Sequence, residues 1–250
     1  MILRRRGHGR RGKIIVSPQS TAKQYTPVNS NRPIKSNPQP SPNHTKHEWD
    51  GSIIENLIVV AYYTVGTPYE KEADTLIKSL NKFKIKHDVV GVPNKGGWQA
   101  NTRYKATFML EMLDKHKDYN LLYVDCDAIF YTYPTLFRNY KCDIAVRWQD
   151  FRWRKNECLS GTIFMSNNQA NRELCKRWQQ INIQEGPNAT TFEQWNLGSV
   201  IEAMEKEGKL ITKNLPPEYT FIFDSMKKIY PDINPVIEHF QASRRYKKLV

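Results

Sequence analysis

Two acidic residues one position apart, Asp125 and Asp127, directly follow the apolar stretch 121–124, and apolar sequence resumes at Ala128. Carboxylates flanked by buried chain carry a large desolvation cost unless a cation or hydrogen bonds compensate for it. A hard divalent ion with oxygen ligands is the natural compensation, and a diphosphate could complete its coordination shell. The pair therefore predicts a metal site or, as the alternative, two acids that cap a turn at a strand end.

The segments around this pair alternate between strand and helix patterns. Apolar, β-rich segments predict strands at 57–63, 87–92, 121–124, 143–147, 162–165 and 236–240. Apolar residues at helical spacing predict helices that begin at Pro68 and that span 102–115, 168–180 and 191–207. This alternation predicts an α/β fold with a mostly parallel sheet flanked by helices. In such folds ligands bind outside the carboxyl ends of the strands, where the Asp125 turn would lie.

The first fifty residues differ in composition from the rest. They hold ten Lys or Arg and two acidic residues, a net charge of +8, and six of the 14 prolines. Such a segment cannot bury enough apolar surface to offset its ordering entropy. We therefore expect a disordered, basic, Pro-rich tail over 1–50 and one globular domain over 51–250.

Targeting and redox features indicate a cytoplasmic protein. No stretch approaches the roughly 20 apolar residues of a transmembrane helix. No apolar run follows Arg4–Arg6, so we expect no secretory signal. No C-x-x-C pair is present, which argues against a zinc site or a disulfide framework. The predicted location is a reducing cytoplasm, bacterial or that of a virus-infected cell. The four cysteines are Cys126, Cys142, Cys158 and Cys175.

The order of several motifs resembles the GT-A class of nucleotide-sugar glycosyltransferases over about 57–248. The resemblance begins with the Asp-x-Asp motif after an apolar strand and continues through Tyr133-Pro134, Ser160-Gly161-Thr162, Glu193-Gln194 and the segment 235–243 around His239. It implies a GT-A-like, Rossmann-like fold and a sugar donor that is a nucleoside diphosphate sugar, with UDP as the expected nucleotide. It also implies Mn²⁺ or Mg²⁺ as cofactor.

The resemblance assigns ligand-binding roles to residues along the chain. Asp125, Asp127 and His239 would bind the metal, although a histidine at a strand end is also a common structural residue. In this class the histidine is often followed by Gly and by a Lys-Pro-Trp-like segment that contacts the phosphate, and this sequence lacks both. Gln241, Arg244 and Lys247 are the expected substitutes for that contact. Alternatively, these residues are a basic chain end exposed to solvent. The sugar donor would further contact Asp125 and residues near the first strand and second helix: Tyr62, Tyr63, Thr64, Tyr69, Trp98, Arg103 and Lys105.

Catalytic and acceptor roles follow the same resemblance. Glu193 and Gln194 would lie near the reacting carbon, where a carboxylate stabilises an oxocarbenium-like state. Glu193 could equally be an acid favoured by a helix dipole, and Asp150 is an alternative carboxylate. On the acceptor side we expect Ser160 and Gly161, together with an aromatic and basic cluster around Asp150 that could instead be core packing: Trp148, Phe151, Arg152 and Trp153.

Several acceptors and function classes remain open. The cationic arm 4–13 would bind polyanions, which suggests a nucleic-acid acceptor such as a modified base in DNA, as in viral DNA glucosylation. The competing acceptors are a polysaccharide, a lipid-linked sugar and a protein. A non-catalytic nucleic-acid-binding protein is a second class of function. A nucleotidyltransferase, which also uses paired carboxylates, is a third.

Overall fold

The structure is a computed structural model, and it describes residues 49–151, 156–186 and 191–250 of the chain. Its strands are β1 (Leu57–Thr64), β2 (His87–Val92), β3 (Asn120–Val124), β4 (Ala128–Phe130), β5 (Ile144–Gln149), β6 (Glu157–Met165), β7 (Thr212–Asn214), β8 (Phe221–Ile222) and β9 (Ile237–His239). Its α-helices are α1 (Tyr69–Lys82), α2 (Trp98–Arg103), α3 (Lys105–Lys115), α4 (Gln169–Glu185), α5 (Glu193–Lys206), α6 (Ser225–Ile229) and α7 (Ser243–Tyr246).

The main sheet has six strands in the order β2-β1-β3-β6-β5-β7. β1 pairs in parallel with both β2 and β3, and β5 pairs in parallel with β7. β6 is antiparallel to both of its neighbours, β3 and β5. The result is a mixed, mostly parallel sheet flanked by helices, which confirms the predicted α/β fold class.

Both faces of this sheet are buried, as the continuous apolar sequence of its strands requires. Along β1, Ile58 and Val60 point into a core that contains α3, α4 and α5. The alternate residues Leu57 and Val59 point into a second core, which contains α1. Each core therefore receives every second side chain of the same strand.

A second sheet, β4-β9-β8, contributes to the core on the α1 side. β4 follows β3 after a turn of three residues, 125–127, and pairs antiparallel with β9. This register places His239 opposite Ala128, next to Asp127. The small sheet thus returns the end of the chain to the edge where β3 ends.

Some predicted boundaries differ from the observed ones. β6 begins at Glu157, five residues before the predicted start, and the predicted helix 102–115 is two helices, α2 and α3, that meet at Tyr104. Trp49, placed by the prediction in the tail, is half-buried and stacks on Tyr133 with ring centroids 5.0 Å apart. Among the helices that the structure describes, none has the length and apolarity needed to cross a bilayer.

Candidate active site

Asp125, Asp127 and His239 meet at the carboxyl-terminal end of β3. One ligand atom from each of the three side chains lies within 4.8 Å of the others. The Asp125 amide donates to the Gly161 carbonyl at 2.9 Å, which extends the β3–β6 pairing through the first acid. The strand end fixes Asp125, the turn presents Asp127, and β9 supplies the histidine.

The two ring nitrogens of His239 have different surroundings. Nε2 lies 2.8 Å from the Thr162 hydroxyl. Nδ1 is buried and has no hydrogen-bond partner within the described ranges. It lies 3.7 Å from the nearer Asp127 oxygen, a distance too long for a hydrogen bond. When Nε2 donates to Thr162, Nδ1 carries a lone pair that points toward the two acids.

The carboxylate of Asp127 is held in its ionised form. Burial alone would raise its pKa, but the neighbouring His239 ring in its protonated form and a hydrogen bond from the Ala242 amide at 2.6 Å lower the pKa below its ordinary value. In its neutral form the same ring offers a lone pair, and an ionised carboxylate with a histidine lone pair is a suitable ligand set for a divalent metal ion.

Gly161 keeps the space beside these ligands open. A Cβ atom at this position would lie 3.4 Å from both Asp125 Oδ2 and His239 Cε1. Any larger side chain would therefore occupy the volume between two of the three candidate ligands.

Lys105 is buried and links Asp125 to Glu193. Its ammonium lies 3.1 Å from Asp125 Oδ1 and donates to Glu193 Oε1 at 2.9 Å and to the Ser160 hydroxyl at 3.1 Å. The sequence predicted that Lys105 would reach the ribose or diphosphate. In the structure it is instead bonded to protein groups, so it positions the two carboxylates.

Burial has opposite consequences for the pKa values of this pair. It acts to lower the pKa of Lys105, but the carboxylates of Asp125 and Glu193 more than offset it and hold the pKa above its ordinary value. Burial raises the pKa of Glu193, and the contacts with Lys105 and Ser160 offset only part of that effect. Glu193 Oε2 is buried and, among the described residues, accepts no hydrogen bond.

These groups line one cavity of about 370 Å³. Fifteen of the predicted site residues line it: Tyr62, Tyr63, Thr64, Tyr69, Trp98, Lys105, Asp125, Asp127, Ser160, Gly161, Glu193, Gln194, His239, Gln241 and Arg244. The structure therefore brings together segments that are far apart in sequence, as the resemblance implied.

Three aromatic rings near the end of β1 differ in their freedom to contact a ligand. Tyr62 is buried among core rings, and its hydroxyl donates to the Asn101 carbonyl at 2.8 Å. Tyr63, on the opposite face of the strand, is half-buried. Tyr69 packs edge-on against Tyr246 with centroids 5.6 Å apart. Tyr62 therefore mainly packs the core, and Tyr63 and Tyr69 remain the candidates for stacking on a base.

Four predicted residues do not line the cavity. The Arg103 guanidinium donates to Glu185 and to the Gly186 carbonyl, so it ties α2 to the end of α4 instead of approaching a diphosphate. Trp148 packs in the core against Gly198 of α5, which supports the packing alternative. Asp150 accepts from the Asn156 amide, and Lys247 lies 6.0 Å from the Trp98 ring centroid. Arg152 and Trp153 lie outside the described residues.

The sequence analysis missed several lining residues. Glu157 and Phe192 line the cavity and were not predicted, whereas Phe151, which also lines it, belongs to the predicted aromatic and basic cluster. Glu157 could have been found if the strand that ends at Met165 had been extended toward its start, since Cys158 and Leu159 are apolar. Phe192 lies in the first turn of the predicted helix 191–207, and the helical pattern gave no sign that its side chain would face a cavity.

Comparison with solved structures relates the fold to glycosyltransferases. A crystal structure of a glycosyltransferase involved in the glycosylation of the major capsid of PBCV-1 has a TM-score of 0.56 and 12% identity, over 78% of this chain and 99% of that one. Two crystal structures of the glycosyltransferase GlyE of Streptococcus pneumoniae TIGR4 have TM-scores of 0.49 and 0.46 at 16% identity, over 73% and 74% of this chain and 54% of each of those chains. No family model and no curated protein sequence matches.

Proposed function

With a fold shared with glycosyltransferases as the premise, we propose that this protein is a metal-dependent glycosyltransferase of the GT-A, Asp-x-Asp type. It would transfer a sugar from a nucleoside diphosphate sugar, with UDP as the expected nucleotide. The observation that carries the proposal is the buried, unpartnered His239 Nδ1 that faces Asp125 and Asp127 within the described chain. An unpaired polar atom in a protein interior is costly, and a metal ligand bond would satisfy it.

The chemistry of the ligand set fits Mn²⁺ or Mg²⁺. Two carboxylates supply hard oxygen ligands, and an imidazole suits a first-row transition ion such as Mn²⁺ better than it suits Mg²⁺. Once bound there, a divalent cation would neutralise the diphosphate that leaves the sugar. Thr162 would fix the His239 tautomer, and the Ala242 amide would orient Asp127, as supporting residues do around metal ligands.

Glu193 is our candidate for the carboxylate beside the reacting carbon. Its Oε1 is fixed by Lys105 and Ser160, and its buried Oε2 accepts no hydrogen bond within the described residues. A fixed negative charge stabilises positive charge that develops on the sugar during transfer. Gln194, the next residue, lines the same cavity. The Lys105 link holds Glu193 and Asp125 at a constant separation.

Contacts with the nucleotide are assigned to lining residues at or after the end of β1 and near the end of the chain. Tyr63 and Tyr69 would stack on the base, and Thr64, Trp98 and Gln241 would complete the pocket around the ribose. Arg244 is paired with Asp224 at the cavity wall, so it would have to exchange this partner to reach a phosphate. Lys247, beside Trp98, is the alternative cation.

A thermal-shift screen of nucleotide sugars with and without Mn²⁺ tests the proposal. A ligand that binds only the folded state raises the melting temperature. We expect one nucleoside diphosphate sugar to raise it only when Mn²⁺ is present, and we expect slow release of free sugar to water. A response to nucleoside triphosphates with phosphoryl transfer would instead favour a nucleotidyltransferase. Absence of any response would favour a non-catalytic protein.

A further inference from the structure

Glu157 presents a carboxylate to the cavity from the first position of β6. Its Oε1 accepts from Gln194 Nε2 at 2.7 Å and from Trp195 Nε1 at 3.4 Å. Both donors belong to the first turn of α5, directly after Glu193. Both of these hydrogen bonds go to Oε1. The other carboxylate oxygen, Oε2, could therefore accept a hydrogen bond from a ligand.

The position of Glu157 along β6 places it beyond the reacting centre. It lies four positions before Gly161, which lies against Asp125 and His239. At about 3.3 Å per residue this separation is roughly 13 Å, which exceeds the length of one sugar ring. Leu159 and Ser160 line the cavity between the two points. A second ring could therefore lie beside Glu157 while the transferred sugar lies at Glu193.

An exposed aromatic ring accompanies this carboxylate. Phe192 lines the cavity and remains 41% exposed, so its ring is accessible to a ligand there. It packs edge-on against Trp98 and Trp195, with centroids 6.1 and 5.0 Å away. A sugar ring offers an apolar face of C–H groups and an edge of hydroxyls, which matches an aromatic surface beside a carboxylate.

The charges of the described lining favour an uncharged acceptor beside the anionic sugar donor, whose diphosphate the proposed metal ion would neutralise. Four acidic side chains line the cavity. The described lining contains one lysine and one arginine, and both are already paired. Lys105 pairs with Asp125 and Glu193, and Arg244 pairs with Asp224. Binding of a nucleic-acid backbone depends on cations that contact its phosphates. The described lining instead offers carboxylates, which accept hydrogen bonds from hydroxyl groups.

We infer that Glu157 and Phe192 form the acceptor subsite, and that the acceptor is a saccharide. Its ring hydroxyls would donate to Glu157, and its apolar ring face would pack on Phe192. The inference rests on the proposed function, because the acceptor must lie next to the sugar that Asp125, Asp127 and Glu193 hold.

The test measures release of nucleoside diphosphate from the sugar donor that raises the melting temperature, in the presence of Mn²⁺. The acceptor probes are the methyl glycosides of glucose, galactose, mannose and N-acetylglucosamine, together with lactose and cellobiose. A DNA oligonucleotide that contains hydroxymethylcytosine is the comparison. We expect at least one saccharide to accelerate release about tenfold over water, and we expect no acceleration by the oligonucleotide.

Variants then locate the subsite. Glu157→Gln and Phe192→Ala should each raise the KM for that saccharide about tenfold, the loss expected for one hydrogen bond to a charged group or one ring contact, with a smaller change in kcat. The rise in melting temperature with sugar donor and Mn²⁺ should persist. Ile211→Ala removes another exposed apolar side chain, which is outside the cavity lining, and should leave the saccharide KM unchanged.

Two results would separate failure of the inference from failure of the proposed function. A wild-type protein that still responds to sugar donor and Mn²⁺, but is stimulated by no saccharide or only by the oligonucleotide, overturns the inference alone. An unchanged saccharide KM in both variants also overturns it. A wild-type protein that no nucleotide sugar stabilises contradicts the proposed function as well.

Discussion

His239 shows how one side chain can serve both structure and ligand binding. Its Nε2 contacts Thr162, whereas its buried Nδ1 faces Asp127 without a hydrogen bond from the described residues. The hydrogen bond on one nitrogen sets the tautomer, and the tautomer leaves the other nitrogen free to bind a metal. The proposed metal site therefore depends on Thr162 as well as on the three ligands.

Replacing Asp127 by Asn should abolish the metal-dependent rise in melting temperature with a nucleotide sugar. The amide keeps the size of the side chain but removes the negative charge that would hold the cation, so the protein should stay folded. Asp114→Asn is the matched control, because Asp114 is 61% exposed and pairs with Arg172 at the surface. An equal metal-dependent rise in both variants would argue against a ligand role for Asp127.

Replacing Lys105 by Met should lower the free energy of unfolding by about 3–5 kcal/mol, the usual cost of leaving a buried charge unpaired. The double variant Lys105→Met/Glu193→Gln should lose less, since a neutral amide needs no counterion. Lys115→Met, which removes a 55% exposed lysine bonded to Asp88, should cost less than about 1 kcal/mol. Urea unfolding measures all three, and similar losses for Lys105→Met and Lys115→Met would contradict a shared counterion role.

Much of the candidate site could be predicted from the sequence because its ligands follow strands. Asp125 and Asp127 come directly after an apolar run, and His239 ends a later one, so their place at a sheet edge follows from the fold class. The link from Lys105 to Glu193 joins residues 88 positions apart. Whether a helix lysine points to solvent or into such a link depends on tertiary packing, which a periodic pattern does not contain. Arg103 was misplaced for the same reason.

At the scale of elements, β6 and α5 together line the part of the cavity where we propose that the reacting sugar and the acceptor bind. β6 supplies Glu157, Ser160 and Gly161, and α5 begins at Glu193. Their close approach depends on Gly198, where a Cβ would lie 3.1 Å from Cys158 Cβ and 3.2 Å from Trp148 Cη2. A shift of α5 would therefore displace Glu193.

Gly198→Val should lower the free energy of unfolding by about 1–3 kcal/mol through overpacking, and it should also weaken sugar transfer by displacing Glu193. Ala203→Val introduces the same residue at an exposed position of α5 and changes only helix propensity. Urea unfolding and steady-state transfer rates measure the two effects. If Gly198→Val proved no more damaging than Ala203→Val, the close packing of α5 on β6 would be unimportant for the site.

The elements that the sequence missed are short. β4 and β7 have three residues each and β8 has two, too few side chains to show an alternating pattern, whereas β9 lies within the predicted strand 236–240. The longer β1 and β2 were predicted with bounds within one residue. The second sheet forms because β3 continues through the acidic turn into β4, where β9 can pair with it.

At the scale of the molecule, charge is unevenly distributed. Residues 1–50 carry a net charge of +8, and the other two hundred hold 28 basic and 23 acidic residues. We propose that the first segment acts as a polyanion-binding arm, separate from the domain that contains the cavity.

Deleting residues 1–46 should weaken binding to long duplex DNA and reduce its salt dependence, because fewer counterions are released. Gel shifts at low and moderate salt measure this effect. The deletion stops before Trp49, whose ring packs on Tyr133, so the melting temperature should not fall. Unchanged DNA binding after the deletion would remove the polyanion-binding role of the arm.

Crystals soaked with Mn²⁺ and the nucleoside diphosphate test the central claim most directly, through anomalous scattering at the manganese edge. The account predicts one strong peak between Asp125, Asp127 and the Nδ1 atom of His239, with the diphosphate on its open side. A peak elsewhere, or no peak at this cluster while the nucleotide occupies the cavity, would contradict the account.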